Sequence, residues 1–160
     1  MIAISTDRLV LKKTNKSNKD KELLVSQIGD WNVAKWLSNV PHPYTEDDAK
    51  DWFKKIHQKE LSLNIYLDSS LIGGIGLTQD KDEFYEFGYW LGRDYWGQGY
   101  ATEAGKGLFH YAAQKLDSPK IKSSYMKGNI ASENVLRKLG FNKVGEGKTY
   151  CVSRKEEVDC

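Results

Sequence analysis

The sequence predicts an α+β fold in which helices pack against a mixed β-sheet. Apolar residues recur at every second position in some segments and at every third or fourth position in others, which indicates strands and helices, respectively. These segments follow one another as strand, helices, three strands, helix, strand, helix and strands. This order is typical of α+β domains rather than of a regular alternation of strands and helices.

The N-terminal third predicts one strand and three helices. Residues 2–12 alternate between apolar and polar side chains and predict the first strand. In residues 21–38 the apolar spacing is helical and Gly29 interrupts it, which predicts two short helices. Thr45 is a favourable N-cap and Asp48 fits a capping box, so a third helix follows the proline-containing loop.

The middle of the chain predicts a meander of three strands followed by a helix and another strand. Residues 61–67, 71–77 and 84–91 are apolar segments separated by polar turns, which favours antiparallel neighbours. Residues 102–116 place apolar side chains on one helical face. Residues 120–127 predict a further strand.

Three more elements are predicted towards the C-terminus. Residues 129–139 predict a helix that ends at Gly140, and residues 141–146 and 149–153 predict strands. No linker or change of composition divides the chain. We therefore expect residues 1–160 to form a single domain.

The composition argues against several classes of partner. The net charge is +2, from 24 basic and 22 acidic residues, and no basic block alternates with aromatic residues, so we expect no nucleic-acid partner. No apolar stretch approaches the ~20 residues of a membrane span, so we expect no membrane partner. Cys151 and Cys160 lack the spacing of a metal site or a disulfide framework. These features predict a cytoplasmic protein without a metal ion.

A glycine-rich segment at residues 97–102 lies between a predicted strand and a predicted helix. Its two glycines permit a tight turn, and the N–H groups that begin a helix attract anions. The segment does not match the phosphate loop GxxxxGK(S/T), and the dinucleotide motif GxGxxG requires a parallel βαβ unit. It therefore predicts either a diphosphate site made of main-chain amides or only a tight turn.

Five segments in one order match the pattern of a known family: residues 5–11, 41–45, 72–77, 88–104 and 129–141. The fourth reads GYWLGRDYWGQGYATEA. Together they resemble the GCN5-related N-acetyltransferase (GNAT) superfamily, in particular its ribosomal-protein-alanine N-acetyltransferase branch. The resemblance implies a central mixed, mostly antiparallel sheet of six to seven strands flanked by about four helices. It also implies an acetyl-CoA-dependent N-acetyltransferase, with acetyl-CoA as co-substrate and direct attack by the amine in a ternary complex.

The resemblance places the diphosphate of acetyl-CoA at the glycine-rich segment. The main-chain N–H groups expected to bind it belong to Gln98, Gly99, Tyr100, Ala101 and Thr102. The superfamily usually carries Gln or Arg at the head of this loop, where Trp96 stands in this sequence. Arg93 is a candidate to replace the missing basic side chain.

The strand before the loop is expected to bind the pantetheine arm and to carry the catalytic base. The main chain of Trp90, Leu91 and Gly92 is where the resemblance places the thioester. Glu86 occupies a position similar to that of the acidic residue with which family members deprotonate the amine, often through water. The alternative is an exposed carboxylate without a catalytic role. Glu83 and Glu103 are weaker candidates for the base, since complementarity to the helix dipole already explains Glu103 in the first turn of a helix.

The helix predicted after residue 128 is expected to contribute the proton donor. Many superfamily members have a tyrosine where this chain has Leu136, so the usual donor is absent. Ser132 is the replacement candidate in this branch, and its alternative role is to cap or pack the helix. Asn129 resembles the residue that hydrogen-bonds the pantetheine or the acceptor. Tyr125 is a further candidate that could reach the thiol.

The acceptor implied by the resemblance is a primary amine, and a protein N-terminus is the leading expectation. A small-molecule amine, such as an aminoglycoside, a polyamine or an amino acid, is the alternative. A non-catalytic CoA-binding domain is a third reading, because Trp96 and Leu136 stand where the superfamily usually has functional side chains. Because the sequence ends early for a full seventh strand, we expect the last strand either to be short or to be completed by another subunit of a homodimer.

Overall fold

Six strands form the main sheet in the computed structural model, which describes residues 1–14, 16–59 and 61–160. They lie side by side in chain order, and each neighbouring pair is antiparallel except the last, which is parallel. The strands are β1 (Ala3–Ser5), β2 (Leu9–Lys12), β3 (Ser62–Leu67), β4 (Ser70–Gln79), β5 (Tyr85–Leu91) and β6 (Ile121–Lys122). The predicted α+β class and the mixed, mostly antiparallel sheet are confirmed.

Helices accompany the sheet, and polar side chains cap most of them. They are α1 (Asn18–Ile28), α2 (Trp31–Ala34), α3 (Glu46–Gln58), α4 (Tyr100–Lys115) and α5 (Ile130–Lys138). The Thr45 hydroxyl accepts from the N–H of Asp48 (3.3 Å) and the Asp48 carboxylate accepts from the N–H of Thr45 (2.8 Å). The capping box predicted at the start of α3 is therefore present.

The first predicted strand is divided into β1 and β2 by a tight turn at residues 6–8. The N–H of Thr6 donates to the Leu9 carbonyl oxygen (2.9 Å), and the N–H of Leu9 donates to the Thr6 hydroxyl (3.1 Å). These two bonds close the turn, so β1 folds back antiparallel on β2. The apolar alternation continues on both sides of the turn, which explains why the sequence predicted one strand.

Two predicted strands near the C-terminus are shortened or absent. The strand predicted at residues 120–127 is reduced to β6, because the chain leaves the sheet after Lys122. Lys122 also forms an ion pair with Asp80, in the turn before β5, which holds β6 at its paired end. Residues 141–146 form no strand. Nearly all of their side chains are exposed, so the burial that would hold a short apolar run in a sheet is missing.

The strand predicted at residues 149–153 belongs to a separate hairpin. It is present as β7 (Lys148–Cys151), which pairs antiparallel with an unpredicted strand, β8 (Glu156–Asp159). These two strands form their own sheet rather than extending the main one. The hairpin buries Cys151 and Val158 in a small cluster with Met126, against which Trp36 packs.

Both faces of the main sheet are covered. Leu11, Ile65 and Leu108 are fully buried on the face that α4 and α5 cover. Leu24 and Tyr66 are buried on the face that α1 and α3 cover. Burial of this apolar surface contributes roughly 25 cal/mol per Å² to the stability of the fold.

The start of α4 is tied to the turn between β1 and β2 through Glu103. Its carboxylate accepts from the Thr6 hydroxyl (2.6 Å), the Arg8 N–H (2.8 Å) and the Arg8 Nε (2.7 Å). Burial alone would raise the pKa of Glu103, but the hydrogen bonds from Thr6 and Arg8 outweigh it and lower the pKa below its usual range. The ionised carboxylate therefore stabilises the folded state.

We expect Glu103→Gln to remove an acid-sensitive part of the stability. Because the folded pKa lies below the unfolded one, the contribution is complete above the ordinary glutamate pKa of about 4.3 and is lost as pH falls through the folded value. Urea unfolding should give a difference between wild type and variant of about 1 kcal/mol at pH 7. The difference should shrink towards pH 3. An equal difference at both pH values would contradict this account.

Gly73→Ala should destabilise the central sheet. A Cβ at Gly73 would clash with the carbonyl oxygen of Trp90 on the neighbouring strand, which cannot move without disturbing the sheet. We expect the free energy of unfolding to fall by about 1–3 kcal/mol in urea titrations. Gly145→Ala is the matched control, because a Cβ there meets no atom within 4 Å. Equal stability of the two variants would show that the close approach at Gly73 is unimportant.

Candidate active site

A cleft of about 930 Å³ opens where β6 leaves the main sheet. Main-chain pairing between β5 and β6 ends at Glu86 and Lys122. One residue further on, the Ser123 hydroxyl donates to the Phe87 carbonyl oxygen (2.8 Å). Beyond this contact the two segments diverge, and the cleft lies between β5 and the chain that follows β6.

The cleft brings together most of the site residues that the sequence predicts. Those that line it are Glu86, Trp90, Leu91, Gly99, Tyr100, Ala101, Thr102, Asn129 and Ser132. Gly92 and Gln98 are not among its lining residues. The starts of α4 and α5 therefore both face the open edge of β5.

The glycine-rich loop has the backbone conformation expected of an anion site. Gly97 and Gly99 have φ angles of 72° and 81°, in the region that favours glycine. Gly99 directly precedes α4 and offers no side chain to cap it. The first N–H groups of a helix have no partner within the helix, and the helix dipole adds positive potential there. The loop can therefore bind a phosphate group through its main chain.

Trp96, at the head of the loop, forms part of the cleft wall. Its indole N–H donates to the Leu91 carbonyl oxygen (2.9 Å), while 43% of the residue stays exposed. Trp96 thus fixes the geometry of the loop instead of supplying charge. Arg93, the candidate for the missing basic side chain, faces Asp30 with 3.8 Å between Nη1 and Oδ2. Arg93 does not line the cleft.

The main chain of β5 presents hydrogen-bonding groups to the cleft at alternate residues. The N–H of Gly92 donates to the Ile72 carbonyl oxygen of β4 (2.9 Å), so even-numbered residues face β4. Phe87 accepts from Ser123 on the opposite side. By this alternation the N–H groups of Tyr89 and Leu91 point into the gap. Of the three residues predicted to bind the thioester, Leu91 is therefore the one whose N–H faces the cleft.

Glu86 lies at the point where the two strands begin to separate. Its side chain is exposed and makes no hydrogen bond with the residues that the structure describes. Gly88 follows on the same face of β5, and a Cβ there would meet no atom within 4 Å. The face of β5 beyond Glu86 is therefore open to a ligand. A carboxylate in this position can accept a proton from a bound amine.

The start of α5 places Ser132 opposite a tyrosine that the sequence reasoning missed. Asn129 caps α5 by accepting from the N–H of Ser132 (3.3 Å). Burial raises the pKa of Tyr89, and the nearby Ser132 hydroxyl, which can donate to the phenol oxygen, partly lowers it again. The Tyr89 hydroxyl therefore stays protonated at neutral pH. Leu136, at the position of the usual tyrosine, is buried in the core.

The end of the cleft beside α3 carries carboxylates and aromatic rings. Asp48, Asp51, Trp52 and Lys55 of α3 line it together with Tyr44. Burial, and then the negative charges of Asp48 and Asp51, raise the pKa of Tyr44 well above its usual range. Asp48 and Asp51 thus contribute negative potential beside Tyr44, which favours a positively charged group there.

The β7–β8 hairpin closes this same end of the cleft. The Ser153 hydroxyl donates to the Ala34 carbonyl oxygen (2.9 Å), which fixes the hairpin to α2. The N–H of Lys127 donates to the Asp159 carbonyl oxygen (2.8 Å), which fixes it to the segment after β6. Thr149 contributes to the cleft lining. The hairpin thus connects α2 with the segment that follows β6.

Metal ligands and membrane-spanning helices were sought in residues 1–14, 16–59 and 61–160. Within these ranges no group of three or more His, Cys, Asp and Glu side chains could hold a metal ion. In the same part of the chain, no helix combines the length and the apolar character needed to cross a bilayer.

Comparison with known sequences identifies a family and several relatives. Residues 8–142 match the family model described as an acetyltransferase (GNAT) domain. The N-acetyltransferase p20 of Bacillus licheniformis, itself named as uncharacterized, is 27% identical over 169 aligned positions. The alignment covers 99% of this chain and 93% of the relative.

Solved structures show the same fold. A GNAT-family acetyltransferase from Bacillus anthracis superposes with a TM-score of 0.84 at 24% identity, covering 99% of this chain and 94% of the other. RimL, a ribosomal L7/L12 alpha-N-protein acetyltransferase in complex with coenzyme A, superposes with a TM-score of 0.79 at 19% identity. That superposition covers 99% of this chain and 95% of RimL.

Proposed function

The chain belongs to the acetyltransferase (GNAT) family, and we propose that it transfers the acetyl group of acetyl-CoA to the N-terminal amine of a protein. One observation carries the proposal. The glycine-rich loop at residues 97–102, which we call the anion loop, and the open edge of β5 line the same cleft, next to Glu86. RimL, which shares the fold, is by name a protein alpha-N-acetyltransferase and was solved with coenzyme A.

Successive parts of the cleft suit the diphosphate, the pantetheine arm and the thioester of acetyl-CoA. The N–H groups at the start of α4 are placed to bind the diphosphate. The pantetheine arm carries amides, and the main-chain groups that stay open along the edge of β5 can bond to it as a neighbouring strand would, while the N–H of Leu91 is left for the thioester oxygen. Gly88 leaves room for it on one face of β5. The thioester then lies towards Glu86 and Ser132.

The chemistry requires one base, one oxyanion donor and one acid. The amine nitrogen attacks the thioester carbon, and Glu86 takes the proton that the amine loses, directly or through water. The oxygen of the tetrahedral intermediate accepts from the N–H of Leu91. The C–S bond then breaks, and the departing thiolate takes a proton from the Ser132 hydroxyl. Most of the rate enhancement comes from positioning, because a thiolate is already a good leaving group.

Tyr89 supports Ser132 as a proton donor. A serine hydroxyl is a weak acid, but the neighbouring Tyr89 stays protonated and can transfer a proton to Ser132 to replace the one that the serine gives to the thiolate. Both residues line the cleft. The pair thereby fills the role of the tyrosine that is missing at Leu136.

A small cationic amine is the second candidate acceptor. Asp48 and Asp51 beside Tyr44 and Trp52 form an end of the cleft that favours a positive charge at a distance from the reacting amine. A diamine or polyamine has such a second charge. A protein N-terminus followed by a basic residue would have it as well.

The acceptor is identified by measuring thiol release from acetyl-CoA with a panel of amines. The panel contains short peptides with free N-termini, the same peptides with blocked N-termini, diamines, an aminoglycoside and amino acids. We expect release with the free peptides and none with the blocked ones. Release with diamines alone would favour the second candidate. Binding of coenzyme A without release for any amine would contradict the enzymatic proposal.

Glu86→Gln should lower kcat by about 100-fold while the KM for acetyl-CoA stays unchanged, because the amide cannot accept the amine proton and does not touch the anion loop. Steady-state kinetics at neutral pH test this. Glu83→Gln is the matched control, since Glu83 is exposed in the turn before β5. Similar rates for the two variants would remove Glu86 as the base.

Ser132→Ala and Tyr89→Phe should each lower kcat by about tenfold, and the double variant should lose little more, because the two hydroxyls act as one donor. The loss should be smaller with an acetyl thioester whose thiol has a lower pKa, since that thiolate needs less protonation. Tyr125→Phe is the control, because Tyr125 also lines the cleft. Additive losses, or equal losses with both thioesters, would contradict the proposed pair.

A further inference from the structure

The side chain of Arg8, in the turn between β1 and β2, reaches the glycine-rich loop at residues 97–102. Arg8 Nη1 donates to the Gln98 carbonyl oxygen (3.0 Å), and Arg8 Nε donates to Glu103 (2.7 Å). The guanidinium group also lies over the Tyr100 ring, 4.4 Å from its centroid. Arg8 thus contacts Gln98 before α4, Tyr100 at its first position and Glu103 in its first turn. It does not line the cleft.

The bond to Gln98 determines the direction of the next N–H group. In a trans peptide the C=O and the following N–H point in opposite directions. Arg8 holds the Gln98 carbonyl oxygen on the outer side of the loop, so the Gly99 N–H points to the other side, where Gly99 lines the cleft. A glycine at positive φ has little intrinsic resistance to rotation of this peptide. If the peptide turned over, the carbonyl oxygen would face the cleft and repel an anion.

We propose that Arg8 is a positioning residue for the diphosphate of acetyl-CoA: it locks the Gln98–Gly99 peptide with the N–H towards the cleft. This inference rests on the proposed use of acetyl-CoA. It explains how a loop headed by Trp96, without a basic side chain, can still bind an anion. Arg8 lies 90 residues before Gln98 in the chain.

The role depends on the shape of the guanidinium more than on its charge. Glu103 offsets the charge of Arg8, so the pair adds little net field at the loop. The planar fork, however, bonds to Glu103 and Gln98 at the same time and stacks on Tyr100, which a lysine ammonium cannot do. We therefore expect Arg8→Lys to raise the KM for acetyl-CoA nearly as much as Arg8→Gln does.

The test compares two acetyl donors, acetyl-CoA and S-acetylpantetheine, which lacks the diphosphate. For Arg8→Gln and Arg8→Lys we expect the KM for acetyl-CoA to rise about tenfold with kcat unchanged, the loss expected for one charge-assisted contact. The KM for S-acetylpantetheine should not change. Arg137→Gln is the matched control, because Arg137 forms an exposed ion pair with Glu133 (3.1 Å) away from the loop.

Several results would overturn the proposal. They are an unchanged KM for acetyl-CoA in both Arg8 variants, an equal rise for the two donors, and full activity of Arg8→Lys. A rise of the KM for acetyl-CoA in Arg137→Gln that is as large as in Arg8→Gln would also overturn the proposal. Calorimetric titration of wild type and Arg8→Gln with coenzyme A tests the proposed function and the role of Arg8 separately. Absence of binding by wild type contradicts the proposed function, whereas binding that Arg8→Gln leaves unaltered contradicts only the role of Arg8.

Discussion

The separation of β6 from β5 after Glu86 is the constraint on which the rest of the site depends. In a continuous sheet the main-chain groups of Tyr89 and Leu91 would bond to a neighbouring strand. Here the Ser123 hydroxyl makes the last contact between the two segments, and the N–H groups of Tyr89 and Leu91 face the cleft, while the Leu91 carbonyl oxygen accepts from the Trp96 indole N–H. Unpaired main-chain groups in a partly buried setting are unfavourable unless water or a ligand completes their hydrogen bonds. The fold itself therefore favours an extended ligand that carries amides.

The two ends of the cleft differ in their electrostatic character although the whole chain is nearly neutral, with a net charge of +2. At one end the N–H groups at the start of α4 favour an anion. At the other, Asp48 and Asp51 favour a cation. A reaction between a phosphorylated donor and a cationic amine would place each substrate at the end that suits it. The overall charge gives no hint of this arrangement, because main-chain dipoles carry no net charge and the two carboxylates are only a small part of the 22 acidic residues.

The sequence predicts well those features that depend on local chemistry. The capping box at Thr45 and the order of strands and helices follow from propensity and periodicity over short windows, and the structure confirms them. The turn that divides residues 2–12 was missed because the apolar alternation continues across it, and the extent of β6 was predicted wrongly because strand pairing depends on contacts between distant segments. Tyr89 and Arg8 were missed for the same reason. Their partners lie on α5 and in the anion loop, and no local pattern connects them.

The β7–β8 hairpin has a consequence for the order of folding. Its bonds to the α2 region join residues 119 positions apart, as between Ser153 and Ala34 and between Arg154 and Lys35. Closing such a long loop costs more entropy than forming neighbouring strands, so we expect these contacts to form late. The hairpin has its own two-stranded sheet and shares no strand pairing with the main one. We expect an element that docks last to undock first as well, so the end of the cleft beside α3 can open while the central sheet stays folded.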